Sequence, residues 1–212
     1  LGMECISVFD MLKIGVGPSS SHTLGPWRAA EKFLAELREQ NTIDSVNRVK
    51  VDLYGSLSLT GKGHATDLAI MLGLSGADPE YVPVESIDVI ISAIKNKKEI
   101  FLGNEIIIPF CFEKDIVFNR NFLPFHANGL TFTAFTDTGN YSTTFYSIGG
   151  GFVVKEAEKT SSKTVKCTFP FPVEKATELL EFCTSENKKI SEIVYENEKS
   201  MRSEDEIHNE LL

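Results

Sequence analysis

The feature that most constrains the fold is Asp137-Thr138-Gly139-Asn140, a turn signal lying between two strand-like runs, Leu130 to Phe135 and Ser142 to Ile148. Such a tetrapeptide between strand-forming segments specifies a β-hairpin. It sits in a β-rich half that also contains Glu105 to Phe110 and Asp115 to Asn119. Beyond it, Gly149-Gly150-Gly151 interrupts the strand pattern as a bulge or a close backbone approach does. Phe152 to Val154 and Thr164 to Phe169 are then positioned to pair across the polar 155–163 loop.

The first half reads differently. From Pro26 to Gln40, Trp27, Ala30, Phe33, Leu34 and Leu37 recur at helical spacing, with charged residues mostly on the other faces. Val46 to Leu53 alternates, placing Val49, Val51 and Leu53 on one side and Lys50 and Asp52 on the other, which is a strand. A glycine-punctuated loop is expected from Gly55 to His64, then a short apolar helix, Leu68 to Leu74, with Thr66-Asp67 as its cap. Ile87, Ile90, Ile91 and Ile94 mark another helix, ending in Lys95, Lys97 and Lys98, which complement its negative C-terminal pole. Helix–strand–helix followed by a run of antiparallel-type strands gives the α+β class, with helices packed against one mixed, largely antiparallel sheet. From Val173 onward the pattern is helical and acidic, compatible with a solvated amphipathic tail.

The chemistry concentrates between Gly15 and Pro26. There Ser19, Ser20, Ser21, His22 and Thr23 stand side by side, bracketed by Gly15, Gly17 and Pro18 before and Gly25-Pro26 after. A polar loop feeding a helix N-terminus offers backbone N–H groups and hydroxyls suited to an anion such as a carboxylate. An ordinary N-cap or serine-rich linker is the equally simple alternative. Gly61-Lys62 imitates a phosphate-binding loop but fails twice, because Ser56 stands where the first glycine belongs and Gly63 replaces the magnesium-binding hydroxyl. Each histidine has a plain structural reading too: His22 can bridge backbone groups, His64 and His126 can be loop residues, and His208 lies in the acidic tail.

Composition narrows the partners. A net charge of −9 supplies no basic stripe to follow a phosphate backbone, so nucleic acid is not expected. No apolar run approaches the length of a membrane helix, and no secretory pattern opens the chain, so no membrane partner is expected. Cys5, Cys111, Cys167 and Cys183 are scattered without a CxxC pair, pointing to free thiols in a reducing cytoplasm and to no metal site in this chain.

Five stretches in series carry a family likeness: Ile6-Ser7-Val8-Phe9-Asp10; Gly17-Pro18-Ser19-Ser20-Ser21-His22-Thr23; Gly55-Ser56 with Thr60-Gly61-Lys62-Gly63-His64-Ala65-Thr66-Asp67; Phe125-His126-Ala127-Asn128-Gly129; and Tyr146-Ser147-Ile148-Gly149-Gly150-Gly151. In this order they resemble the N-terminal (beta) domain of the bacterial iron–sulfur L-serine dehydratases, from about Ile6 to the C-terminus. The resemblance implies a beta domain over 3–172 and, over 173–212, a helical linker that starts a truncated alpha (iron–sulfur) domain. It also implies a fold like the allosteric substrate-binding domain of phosphoglycerate dehydrogenases.

The reaction implied by the resemblance is conversion of L-serine to pyruvate and ammonia, by loss of water and then of ammonia. A [4Fe–4S] cluster, with ligands outside this chain, would bind substrate as a Lewis acid in the full-length enzyme, and none is expected in the fragment. His64 is the expected base for the α-proton, since imidazole titrates near neutrality. Ser19, Ser20, Ser21 and Thr23 are expected to hold the carboxylate, with His22, His126 and Asn128 completing the polar shell. The implied partners are L-serine, the alpha domain and a second copy in a homodimer. Two rival readings stand beside this one: a regulatory module binding a small anion or amino acid, and an interaction domain whose histidines are structural.

Overall fold

The computed structural model describes residues 7–11, 15–17, 19–156 and 169–211, apart from the side chains of Asp10 and Lys62. Pro18, Cys5, Cys167 and most of the strand expected over 164–169 lie outside these residues. The described residues fall into two compact units, one holding 15–156 and the other 7–11 together with 169–211. In chain order the helices are α1 (Val8–Met11), α2 (Gly25–Glu39), α3 (Gly55–Thr60), α4 (Thr66–Leu74), α5 (Val84–Lys97), α6 (Phe112–Asp115), α7 (Ala176–Ser185), α8 (Ile190–Lys199) and α9 (Glu204–Leu211). The strands are β1 (Val46–Leu53), β2 (Glu99–Leu102), β3 (Ile106–Pro109), β4 (Ile116–Phe118), β5 (Gly129–Thr136), β6 (Gly139–Gly149) and β7 (Phe152–Lys155).

In the larger unit five strands form one sheet in the order β4-β1-β5-β6-β7. Only β1 and β4 run parallel; the other neighbours are antiparallel, so the sheet is mixed and largely antiparallel and the class is α+β. The β5–β6 hairpin forms where the turn signal places it, with Thr136 opposite Gly139. Helix α2 lies on this sheet with its apolar stripe inward: Trp27, Ala30, Phe33, Leu34 and Leu37 are all buried. Phe33 stacks on Phe132 at 5.0 Å, and Phe132 meets Phe145 edge-on at 6.1 Å. Aromatic pairs of this geometry add to the burial of the rings themselves. At one edge of this core, Glu36 accepts hydrogen bonds from Tyr141 at 2.7 Å and Lys155 at 2.6 Å.

Helix α4 is apolar all round, with residues Ala69 to Leu74 buried, because α2, α5 and β2 pack about it. A side chain at Gly73 would meet Ala30 Cβ at 2.7 Å and Trp27 O at 2.8 Å, so α2 and α4 touch through the missing side chain.

Three local expectations are corrected. The segment Gly55–His64 is helical rather than a loop, with α3 continuing into a 3-10 turn, Gly61–His64. Thr66 does not cap α4; Ala65 occupies that position in the left-handed region, at φ 56°. Strand β3 pairs with β2, a strand that follows the lysine-rich end of α5 directly, in a separate two-stranded sheet. Strand β7 pairs with β6, with a register shift between Ser147 and Gly149, and the partner expected for it over 164–169 lies mostly outside the described residues.

The smaller unit is helical. Glu198 on α8 is buried and accepts hydrogen bonds from Ser7 Oγ at 2.8 Å and Val8 N at 2.7 Å, while Arg202 pairs with it at 3.2 Å. Asn197 holds Phe171 by both backbone groups, and Ile193 and Ile207 supply buried apolar contacts. Among the described residues no helix is long and apolar enough to cross a membrane.

Candidate active site

The serine-rich stretch is itself helical, a π-helical turn over Ser20–Leu24 that runs into α2, and this corrects the expected polar loop. Ser19 starts it in extended conformation, its hydroxyl accepting His22 N at 3.2 Å and its carbonyl accepting Thr23 N at 3.0 Å. The turn is fixed from the sheet side by Ser147, whose hydroxyl donates to Ser21 O at 2.8 Å. A methyl group on Gly25 would lie 1.9 Å from that same hydroxyl oxygen, so the Ser147 side chain packs directly on the backbone of the helix start.

Two other loops meet this turn. Thr66 Oγ1 donates to His22 O at 2.6 Å, and Thr23 Oγ1 donates to His64 O at 2.9 Å. The left-handed residue Ala65 lies between these two anchored positions. The His22 and His64 rings stand 5.1 Å apart, tilted by 40°. On the other side, Gly55 is left-handed at φ 54° and a Cβ there would meet Ala127 O at 2.3 Å. That close approach lets Ser56 N donate to Ala127 O at 2.8 Å, joining α3 to the His126 loop. Asn128 in that loop donates through Nδ2 to Ser147 O at 3.2 Å, which closes the circuit back to the serine turn.

The three histidines differ in what their rings have left to offer. His22 uses both nitrogens, Nδ1 with Ser21 Oγ at 2.9 Å and Nε2 with Ser56 Oγ at 3.0 Å. Burial, and then the adjacent His64, hold His22 below the ordinary imidazole value, with its hydrogen bond to Ser56 opposing them. A neutral His22 is therefore the state the fold favours. His64 engages Nδ1 with the carbonyl of Thr60 at 2.9 Å. A carbonyl only accepts, so Nδ1 carries the proton, and in the neutral ring Nε2 carries the free lone pair. His126 is the reverse: its Nδ1 accepts Asn128 N at 3.1 Å, which leaves Nε2–H as a donor.

The hydroxyls divide similarly. Thr23 is buried and its proton is spent on His64 O, whereas Ser20 is exposed and Ser19 and Ser21 are partly so. Asn128 is buried, and its Oδ1 has no hydrogen-bond partner among the described residues. A buried acceptor in that state is costly unless water or a ligand completes it. Ser56, Thr60 and Ser147 were not singled out as site residues in the sequence, yet Ser56 and Thr60 bond the His22 and His64 rings and Ser147 holds the serine turn. The only sequence signal for them was their position inside the glycine-flanked motifs.

Among the described residues no three His, Cys, Asp or Glu side chains converge to hold a metal ion. Cys111 and Cys183 belong to different compact units and are free thiols. The described residues do not fit as ligands for an iron–sulfur cluster.

In this α+β domain the His22 and His64 rings meet directly, and the loop that carries His126 is joined to their turns through Ala127 and Asn128. The family described as serine dehydratase beta chain matches residues 7–158, and the chain belongs to that family. It is 42% identical over 206 residues to L-serine dehydratase 1 of Escherichia coli (strain K12), covering 95% of this chain and 45% of that protein. It is 44% identical over 212 residues to an L-serine dehydratase of Streptomyces coelicolor, covering 98% of this chain and 47% of the relative. A Helicobacter pylori L-serine dehydratase is 37% identical over 205 residues, with 95% and 45% covered. The chain thus spans about half the length of these relatives.

Proposed function

We propose that this chain is the beta-domain part of an iron–sulfur L-serine dehydratase, a cytoplasmic enzyme that converts L-serine to pyruvate and ammonia. The observation that carries the reading is the His64 ring, held with Nδ1–H on the Thr60 carbonyl so that Nε2 is the basic nitrogen. In this role His64 accepts the α-proton of serine at Nε2. Ser19, Ser20 and Ser21 bind the substrate carboxylate, with Thr23 holding the His64 backbone in place. His126 donates from Nε2 to an oxygen of the substrate, and the unpaired Oδ1 of Asn128 accepts from a donor such as the ammonium group. His22, with both nitrogens engaged, positions its neighbours.

A [4Fe–4S] cluster held by an alpha domain outside this chain supplies Lewis-acid activation of the leaving hydroxyl when present. The proposal assigns 3–172 to the beta domain and 173–212 to the helical link toward the alpha domain, in an enzyme that acts as a homodimer.

The test is pyruvate formation by the enzyme assembled with its iron–sulfur half. His64→Ala is expected to lower kcat by about 10²–10⁴-fold with KM changed little. Turnover within a few-fold of the parent would remove His64 from the chemistry. L-serine binding by calorimetry that is lost in Ser20→Ala, with turnover at saturating serine retained, would shift the reading to a regulatory site.

A further inference from the structure

The segment between Ser75 and Ile107 carries chemistry that the histidine cluster does not use. There a cavity of about 500 Å³ opens between the loop that follows α4, helix α5 and the β2–β3 hairpin. Ile94 and Ile100 form buried parts of its lining, and Val82, Ile90, Phe101 and Ile107 extend the apolar wall. The volume and the apolar character are those of small-molecule sites. Helix α4, about 14 Å long by its rise, spans from Thr66 at the histidine cluster to the loop residue Ser75 at this cavity.

Two lining residues stand out by charge. Lys97 ends α5 and Glu99 begins β2, and Lys98 between them is left-handed at φ 55°, which brings both to the same cavity. They are opposite in sign, both are exposed at the rim, and neither forms an ion pair or a side-chain hydrogen bond with any described residue, so both are open to a ligand. Asp78, also in the lining, is already complemented: it accepts Glu80 N at 2.7 Å and acts on the Arg28 charge. An apolar wall flanked by one unpaired cation and one unpaired anion matches a zwitterion with an apolar tail.

We propose that this cavity is a second small-molecule site that binds α-amino acids with apolar side chains. The side chain lies against Ile94 and Ile100, the carboxylate pairs with Lys97, and the ammonium pairs with Glu99. L-serine binds more weakly here because its hydroxymethyl group gains little from an apolar wall.

The molecule carries its own reporter. Trp27 is the single tryptophan of the chain, is buried, and donates its indole N–H at 2.7 Å to the carbonyl of Ala77, itself a lining residue. Titrating L-leucine and L-phenylalanine into the full chain is expected to give a saturable change in Trp27 emission. Lys97→Met and Glu99→Gln should each weaken apparent affinity by about tenfold or more. Ala93→Phe, which narrows the cavity from α5, should abolish the response while an unchanged circular-dichroism melt shows the fold intact. 4-Methylvalerate, which lacks the ammonium group, should bind as weakly to the parent as L-leucine binds to Glu99→Gln.

Absence of a saturable response to both amino acids up to ~20 mM would overturn the proposal. So would a response that survives both Lys97→Met and Ala93→Phe. Concentration-dependent self-association abolished by Ile107→Glu would place a second copy on this face and would overturn it as well. None of these measurements involves serine turnover, so their failure is distinct from failure of the dehydratase reading.

Discussion

The histidine cluster and the α5–hairpin cavity lie at opposite ends of α4 and are built on different principles. The cluster is held by directional hydrogen bonds between elements far apart in sequence, such as Ser147 to Ser21, His22 to Ser56 and Thr66 to His22. The cavity is bounded by apolar side chains whose packing is non-directional, with partly exposed residues such as Ile90 in its wall. A directional network has little slack, because each donor has one acceptor at one distance. An apolar wall tolerates small changes in volume. The contrast predicts that conservative substitutions cost more at the cluster than at the cavity.

Gly25→Ala is the sharpest way to break this contrast, and the largest effect is expected there. The added methyl would overlap Ser147 Oγ at 1.9 Å and Ser147 Cβ at 2.7 Å, and Ser147 is fully buried. Rotating the hydroxyl relieves the first contact but not the second, so a loss of about 3 kcal/mol in urea unfolding is expected. The double variant with Ser147→Gly should recover part of it. Thr66→Val, nearly isosteric, removes the proton donated to His22 O and should cost about 1–2 kcal/mol in the same assay. Ile90→Val at the cavity wall should cost about 0.5 kcal/mol, because the site is only half-buried. An Ile90→Val cost above that of Thr66→Val would refute the comparison.

The smallest expected effect is on pH dependence. His22 is held below the ordinary value of 6.5 by burial and by His64, so the folded state binds the proton less readily than the unfolded chain. Its contribution is therefore complete above the unfolded value and is lost as pH falls through the lower folded value. The urea midpoint of the parent chain should drop between about pH 7.5 and about pH 5.5 more than that of His22→Gln. Equal drops would show that His22 does not titrate within this network.

Much of this fold was legible because burial follows local periodicity. The α2 stripe from Trp27 to Leu37, the alternation in β1 and the β5–β6 turn all stand where spacing puts them. What was not legible depends on distant partners. Gly55–His64 is rich in glycine, serine and threonine, with weak helix propensity, and it is helical because Gly55 N and Ser56 N are tied to Asn121 O and Ala127 O. The parallel β1–β4 pairing and the β2–β3 sheet follow from connections that no local pattern encodes. The motifs that hold His22, His64 and His126 were visible one by one. Their joining through Ser56, Ala127 and Ser147 was not, and neither was a cavity assembled from separate segments between Ser75 and Ile107.

Ala65 carries a last consequence. An alanine at φ 56° sits in a region that costs an L-residue about 1–2 kcal/mol, and here it separates two backbone anchors, Thr23 on His64 O and Thr66 on His22 O. The imidazole of His64 is thus mounted on a cocked joint with a latch on each side. Releasing either latch would let the backbone relax to an ordinary conformation and carry the ring away from its neighbour. Alignment of that ring is maintained by these two hydrogen bonds against the strain at Ala65, as well as by the ring's own contact with Thr60.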